Sequence, residues 1–156
     1  MDDGRLRRLL VVHHTPSPAV RTLFEAVVAG TALPELAEVS VVDEPALSAT
    51  AWDVLNAEAY LLVTPANIGY MRGALKHFFD TIYYPCMDAT AGRPWGLIVH
   101  GNDDTAGAVR SIERIVSALK WRQVAPVLSV VGPPDAAALL EARDVAATVA
   151  AALLPA

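Results

Sequence analysis

The chain has 156 residues, 54% of them hydrophobic and 19% charged, with a formal net charge of -5. That length predicts a single domain over residues 1–156, large enough to bury a core without disulfide or metal staples. The acidic balance argues against a nucleic-acid partner, which would call for clustered Lys and Arg.

At the amino end, Arg5, Arg7 and Arg8 follow Asp2 and Asp3 and read as solvated chain ahead of a first strand. The apolar run Leu9 to Val12 is shorter than the ~7–15 residues of a secretory signal core. No stretch reaches the ~18 apolar residues of a membrane helix, so no membrane partner is expected. The only cysteine, Cys86, excludes an internal disulfide and suits a reducing, cytoplasmic setting.

In chain order, a strand is expected from Leu6 to Val12, followed by His13-His14-Thr15-Pro16-Ser17-Pro18. A helix then begins near Ala19, with Val20, Leu23, Phe24, Val27 and Val28 on one face and Gly30 as its terminator. A short strand from Val39 to Val42 leads to a weak helix around Trp52 to Asn56. The third strand, Tyr60 to Val63, is continuously apolar, as strands covered on both faces are. Its helix runs from Gly73 to Tyr83 and is stopped by Pro85. The fourth strand, Trp95 to Val99, precedes a helix with Val109, Ile112, Ile115, Val116 and Leu119 on one face. The fifth, Val127 to Val131, precedes a last helix with Leu139, Ala142, Val145, Val149 and Leu153 turned inward. Alternating strands and helices of this kind define an α/β chain with a parallel sheet and helices on both sides.

Ligands of such sheets bind outside the carboxyl ends of the strands. Three segments leave those ends: His13 to Val20, Thr64 to Met71 and His100 to Gly107. The first enters a helix N-terminus, where free amides attract an anion such as phosphate, and Thr15 and Ser17 add hydroxyls. Ser17 equally reads as a simple N-cap with Pro18 at the first helical position, and the two roles are compatible. No Walker or dinucleotide glycine fingerprint is present. His13, His14 and His100 are expected roughly 10 Å apart across two strand spacings, so no metal site is expected. His77 reads as a solvated or packed residue, Cys86 as a structural thiol, Trp95 as packing, and Ser17 lacks a nucleophile elbow. Phe78, Phe79, Ile82 and Tyr83 read either as core or as a contact with a second subunit, which leaves a homo-oligomer as one expectation.

The stretch Thr64-Pro65-Ala66-Asn67-Ile68-Gly69-Tyr70-Met71, with Gly73-Ala74-Leu75-Lys76-His77-Phe78-Phe79-Asp80 after it, resembles a family pattern, TP-x-Y-x-G-x-M-x-G-x-LK-x-F-x-D. That pattern belongs to NADPH-dependent FMN reductases and flavodoxin-like quinone reductases. His13 to Leu23 is similar to the family's phosphate loop, and Arg93 to Ala106 to its fourth strand and loop. The resemblance implies a flavodoxin-like, three-layer, doubly wound sheet of five parallel strands in the order 2-1-3-4-5. It implies FMN as cofactor and NAD(P)H as co-substrate, with hydride passed through the flavin to a quinone, flavin or similar small acceptor, and no obligatory side-chain acid or base.

By position, Thr15, Ser17, Ala19 and Val20 would hold the phosphate. Pro65, Ala66, Asn67, Ile68 and Gly69 would line one side of the ring system, and His100, Gly101, Asn102 and Asp103 the other, with Gly69 and Gly101 allowing close approach. The chain departs from the pattern at Pro16 and Pro18, which lack an N–H, at Asn67-Ile68, where relatives carry an aromatic residue, and at the acidic pair Asp103-Asp104. Two other readings share this fold: a one-electron carrier of flavodoxin type, and a binding or regulatory module without flavin.

Overall fold

Aliphatic runs buried on both faces build the centre of the molecule. In the computed structural model, which describes residues 5–156, they form β1 (Arg7–His13), β3 (Ala59–Asn67) and β5 (Pro94–Gly101). Around them lie α1 (Pro18–Thr31), a 3-10 turn (Pro34–Leu36), β2 (Val39–Pro45), α2 (Ala51–Leu55), β4 (Tyr70–Met71), α3 (Gly73–Cys86), α4 (Ala106–Leu119), β6 (Arg122–Gln123), β7 (Leu128–Val131) and α5 (Ala136–Ala151). Asp2 and Asp3 lie outside the described residues. Arg7 and Arg8, expected ahead of the sheet, pair within it, opposite Val39 and Ser40.

The sheet runs β2-β1-β3-β5, and both β6 and β7 pair with the far edge of β5; every one of these pairs is parallel. This is the expected order of five strands, with the fifth in two pieces. Trp95 pairs with Gln123 and Ile98 with Leu128, so three steps along β5 match five along the outer strand. The two extra residues fall in the segment holding Pro126, which cannot donate to a ladder.

Side chains alternate across the sheet and divide the core in two. Leu10, Val12, Leu62, Leu97 and Val99 pack with Leu75, Phe78, Ile82, Ile112 and Val116 of α3 and α4, while Leu9, Val11, Leu61, Val63 and Ile98 pack with Leu23 and Val27 of α1 and Val145 and Val149 of α5. Phe78, Phe79 and Ile82 are therefore core residues. Of that group only Tyr83 is half-buried, and the neighbouring Tyr84 is the exposed ring, at 79%. Leu139 packs only partly buried against the second core.

Two helix ends differ from expectation. Gly30 lies inside α1, buried, because a Cβ there would overlap the Arg143 backbone of α5. It is a close-approach glycine and does not end the helix. Pro85 sits inside α3, in its last turn, where its missing N–H costs only the bond to Thr81; the Met87 amide closes the turn on the Tyr83 carbonyl at 2.9 Å.

At the amino edge of the sheet, Arg93 Nη1 donates to the carbonyls of Val54, Leu55 and Ala57 and to the Tyr60 hydroxyl. Tyr60 is buried, stacks on Trp121 at 4.1 Å, and donates to the Val54 carbonyl; burial pushes its pKa up to about 12. The Trp121 indole donates to Thr90 Oγ1. Cys86 is buried near the Ala51 carbonyl with its pKa pushed up to about 11 by burial, the behaviour of a packing thiol. No helix among the described residues is long and apolar enough to cross a membrane.

Candidate functional site

The site lies at the carboxyl edge of β1, β3 and β5. Register places His13 beside Val63 and Pro65 beside His100, which brings the three loops side by side.

In the first loop Ser17 is extended and caps α1, its Oγ accepting from the Val20 amide at 3.4 Å, and Pro18 is the first helical residue. The amides of Thr15, Ser17 and Ala19 and the Thr15 hydroxyl make no hydrogen bond among the described residues. Unpaired amides at the positive end of a helix can receive an anion. The Val20 side chain is buried beneath α1, so only its amide belongs to the loop.

The histidines before these amides differ in role. His13 lies against Phe24, ring centroids 4.3 Å apart, with Nε2 3.7 Å from Asp43 and a buried, unpartnered Nδ1. Burial lowers its pKa against the pull of Asp43. The His14 amide ties the loop to the Val63 carbonyl at 3.0 Å, and burial, then the Arg72 guanidinium, lowers its pKa.

Beyond the sheet, β3 continues as a ribbon with β4, pairing Ala66 with Met71 and Asn67 with Tyr70. The two-residue turn, Ile68 (φ 49°) and Gly69 (φ 70°), has the positive φ pair of a type I′ hairpin. A β-branched residue is disfavoured there, yet Ile68 occupies the first position with its side chain 95% exposed. Asn67, Ile68 and Gly69 face solvent at the site, Ala66 partly, while Pro65 is buried.

The third loop exposes Asn102, Asp103 and Asp104. Asp104 Oδ1 accepts from the Ala106 amide at 2.8 Å at the start of α4. Gly101 is buried, and a Cβ there would meet the Thr105 methyl at 3.0 Å, so its missing side chain serves its own loop. His100 is buried with Nε2 2.8 Å from the Gly132 carbonyl, joining β5 to the loop after β7.

The structure places Thr15, Ser17, Ala19, Ala66, Asn67, Ile68, Gly69, Asn102 and Asp103 on the accessible surface of one edge, and Val20, Pro65, His100 and Gly101 are buried beneath it. It adds Arg72, the residue before α3, whose half-buried guanidinium makes no hydrogen bond or ion pair among the described residues and lies near His14. The sequence carried one signal for it: a cation at a helix N-terminus, which the helix dipole disfavours unless an anion is near. No group of three or more His, Cys, Asp and Glu among the described residues is placed to hold a metal. A groove of about 1220 Å³ opens between α3 and α4, lined by Tyr70, Tyr83, Tyr84, Arg110 and Arg114, and meets this edge only at Gly69 and Tyr70.

No family model and no curated protein matches the sequence. Solved structures do match in fold. A flavodoxin from the domain Archaea superposes with a TM-score of 0.79 at 18% identity, covering 94% of this chain and 98% of that one. A flavodoxin mutant from Pseudomonas aeruginosa gives 0.74 at 21% identity over 94% and 98%. A flavodoxin, WrbA-like protein from Agrobacterium tumefaciens gives 0.71 at 15% identity over 94% and 97%. The chain has the flavodoxin-like α/β fold.

Proposed function

We propose that the chain binds FMN and acts as an oxidoreductase, taking electrons from NAD(P)H and passing them to a quinone, a free flavin or a similar small acceptor. The observation that carries this reading is the set of unpaired amides at Thr15, Ser17 and Ala19 at the start of α1. It lies at the strand β1, which has β2 on one side and β3 on the other, where the order of the sheet reverses.

The residues fit the group. One loop of unpaired amides with the Thr15 and Ser17 hydroxyls suits a single phosphate, and FMN needs no second one. Ala66 to Gly69 and Asn102 to Asp103 follow the paired strand ends Pro65 and His100, and a planar ring needs accessible backbone of this kind on its flanks. Arg72 adds a cation beside the phosphate loop. When bound, FMN supplies the electron-transfer chemistry; the chain binds, orients and sets the field around it. The reductase choice within this reading rests on the likeness of Thr64 to Asp80 to the reductase pattern.

A second reading is favoured by one feature: exposed Asp103 and Asp104 put negative charge where reduced flavin would also be negative, which lowers its potential and suits a one-electron carrier. Calorimetric titration with FMN tests the shared premise, and absence of binding overturns both in favour of a flavin-free binding module. With FMN bound, anaerobic NAD(P)H either reduces a quinone at a turnover rate, as a reductase must, or leaves it unreduced, as a carrier would.

A further inference from the structure

We propose that Gly107 and Ser111, on the first two turns of α4, are positioning residues of the site: they set where the β3–β4 hairpin tip stands, although neither belongs to the ligand-facing edge. The inference rests on the reading above for its ligand, but not for its mechanics.

The hairpin cannot hold its own tip. It has two cross-strand pairs, too few for an isolated ribbon to be stable. Its apex residue Ile68 is exposed and takes a left-handed backbone that its branched side chain resists, so the apex adds strain and no packing. Something outside the ribbon must hold that shape. Two contacts do, and both come from α4. The Gly69 carbonyl rests against Gly107 so closely that a Cβ at 107 would overlap it. One turn on, Ser111 Oγ accepts from the Met71 amide at 3.3 Å while donating to the Ala108 carbonyl at 2.9 Å. The second bond fixes the hydroxyl proton on the helix and leaves a lone pair aimed at the hairpin. The buried Met71 side chain completes the mount.

The start of α4 also fixes the opposite wall. Asp104 accepts from the Ala106 amide, and buried Thr105 packs against Gly101. Both flanks of the proposed ring position are thus seated on one helix, and the gap between them is a property of α4. A methyl group at 107 requires van der Waals clearance from the Gly69 oxygen, so the tip must move by on the order of 1 Å. Displacements of that size are large for a positioned ligand.

The test compares Gly107→Ala, Ser111→Ala, Ser111→Thr and a control, Gly96→Ala. Gly96 is buried in β5, and its added Cβ would crowd the Val149 side chain on α5, a structural insult remote from the hairpin. Amide exchange of residues 66–72, read by mass spectrometry on the flavin-free chain, is expected to quicken at least tenfold in Gly107→Ala and less in Ser111→Ala. Ser111→Thr keeps the hydroxyl and should restore parental exchange, and Gly96→Ala should leave this segment unchanged. With FMN, Gly107→Ala should bind at least tenfold more weakly and shift the flavin absorbance bands, whereas Gly96→Ala should leave the bands in place. Unchanged hairpin exchange in both α4 variants, or equal quickening in Gly96→Ala, overturns the proposal. Should Gly107→Ala fail to fold, the Ser111 pair decides the matter. A parent chain that takes up no FMN overturns the proposed function alone, since the exchange measurements still decide the mount.

Discussion

Replacing Pro18 with alanine should tighten FMN binding. Pro18 is the first residue of α1, and it interrupts a run of amides at Thr15, Ser17 and Ala19 that have no partner in the protein. An N–H at this position would point out of the helix end with its neighbours. A hydrogen bond to a charged group contributes about 1.5–3 kcal/mol net, which corresponds to roughly 10- to 100-fold in affinity. Proline is good for the helix at that position, and losing its rigidity should cost the fold about 0.4–1 kcal/mol. Alanine keeps the helical backbone where glycine would loosen it, so the gain in binding should exceed that loss. Ser17→Ala should act oppositely on affinity by deleting a hydroxyl from the loop. It should also destabilise by about 0.5–1 kcal/mol, the low end for a lost cap, because the Ser17–Val20 bond is long at 3.4 Å. Calorimetric titration with FMN and a thermal melt on the three proteins measure both quantities. If Pro18→Ala binds FMN no more tightly than the parent, the amides at the start of α1 are not what grips the phosphate, and the site assignment falls with them.

A single loop of unpaired amides also implies selectivity: FMN should bind more tightly than FAD in parallel titrations, and a preference for FAD would require a phosphate site elsewhere. Arg93→Lys should lower stability by about 1.5–3 kcal/mol in urea unfolding, since an ammonium on a shorter stem loses the Nη2 bond to the Ala89 carbonyl and the planar fork that holds Nη1 among the Val54, Leu55 and Ala57 carbonyls and the Tyr60 hydroxyl; a loss below that of an ordinary surface change would show the network to be dispensable. Burial lowers the pKa of both His13 and His14 in the folded chain, so between the unfolded value, about 6.5, and the folded ones the unfolded chain binds more protons. The stability due to their neutral forms is complete above that window and is lost as pH falls through it. Urea midpoints should therefore drop from pH 7 to pH 5, and less so in His13→Gln; parallel profiles for the two proteins would remove His13 as a cause.

What the sequence made legible was whatever has a local or periodic cause. The strands β1, β3 and β5 stand out because burial on both faces leaves them continuously apolar, and Ser17-Pro18 announces a helix start by its own chemistry. Distance in sequence hid the rest. Gly30 resembles a helix terminator until Arg143 of α5 is seen against it. The β3–β4 hairpin escaped notice because Ile-Gly is not a favoured type I′ pair, so nothing local marks the turn. Position along a motif carried His100 into the ring wall, and only the fold brings the Gly132 carbonyl against its ring. Arg72 and His14 become neighbours only through the pairing of β1 with β3.

The break in the outer strand has a consequence for life at high concentration. A sheet rim offers unpaired amides and carbonyls to any passing extended segment, and a long flat rim invites fibres. Here one rim is split into a two-residue and a four-residue piece around Pro126, out of step by two residues, so an incoming strand finds no continuous ladder to copy. The other rim, β2, ends in Asp43, Glu44 and Pro45, two charges and a missing donor. Neither border of the sheet is a template, and this chain should resist recruitment into cross-β aggregates even though its interior strands, Leu9 to Val12 and Ala59 to Val63, carry the sequence signature of amyloid-forming segments.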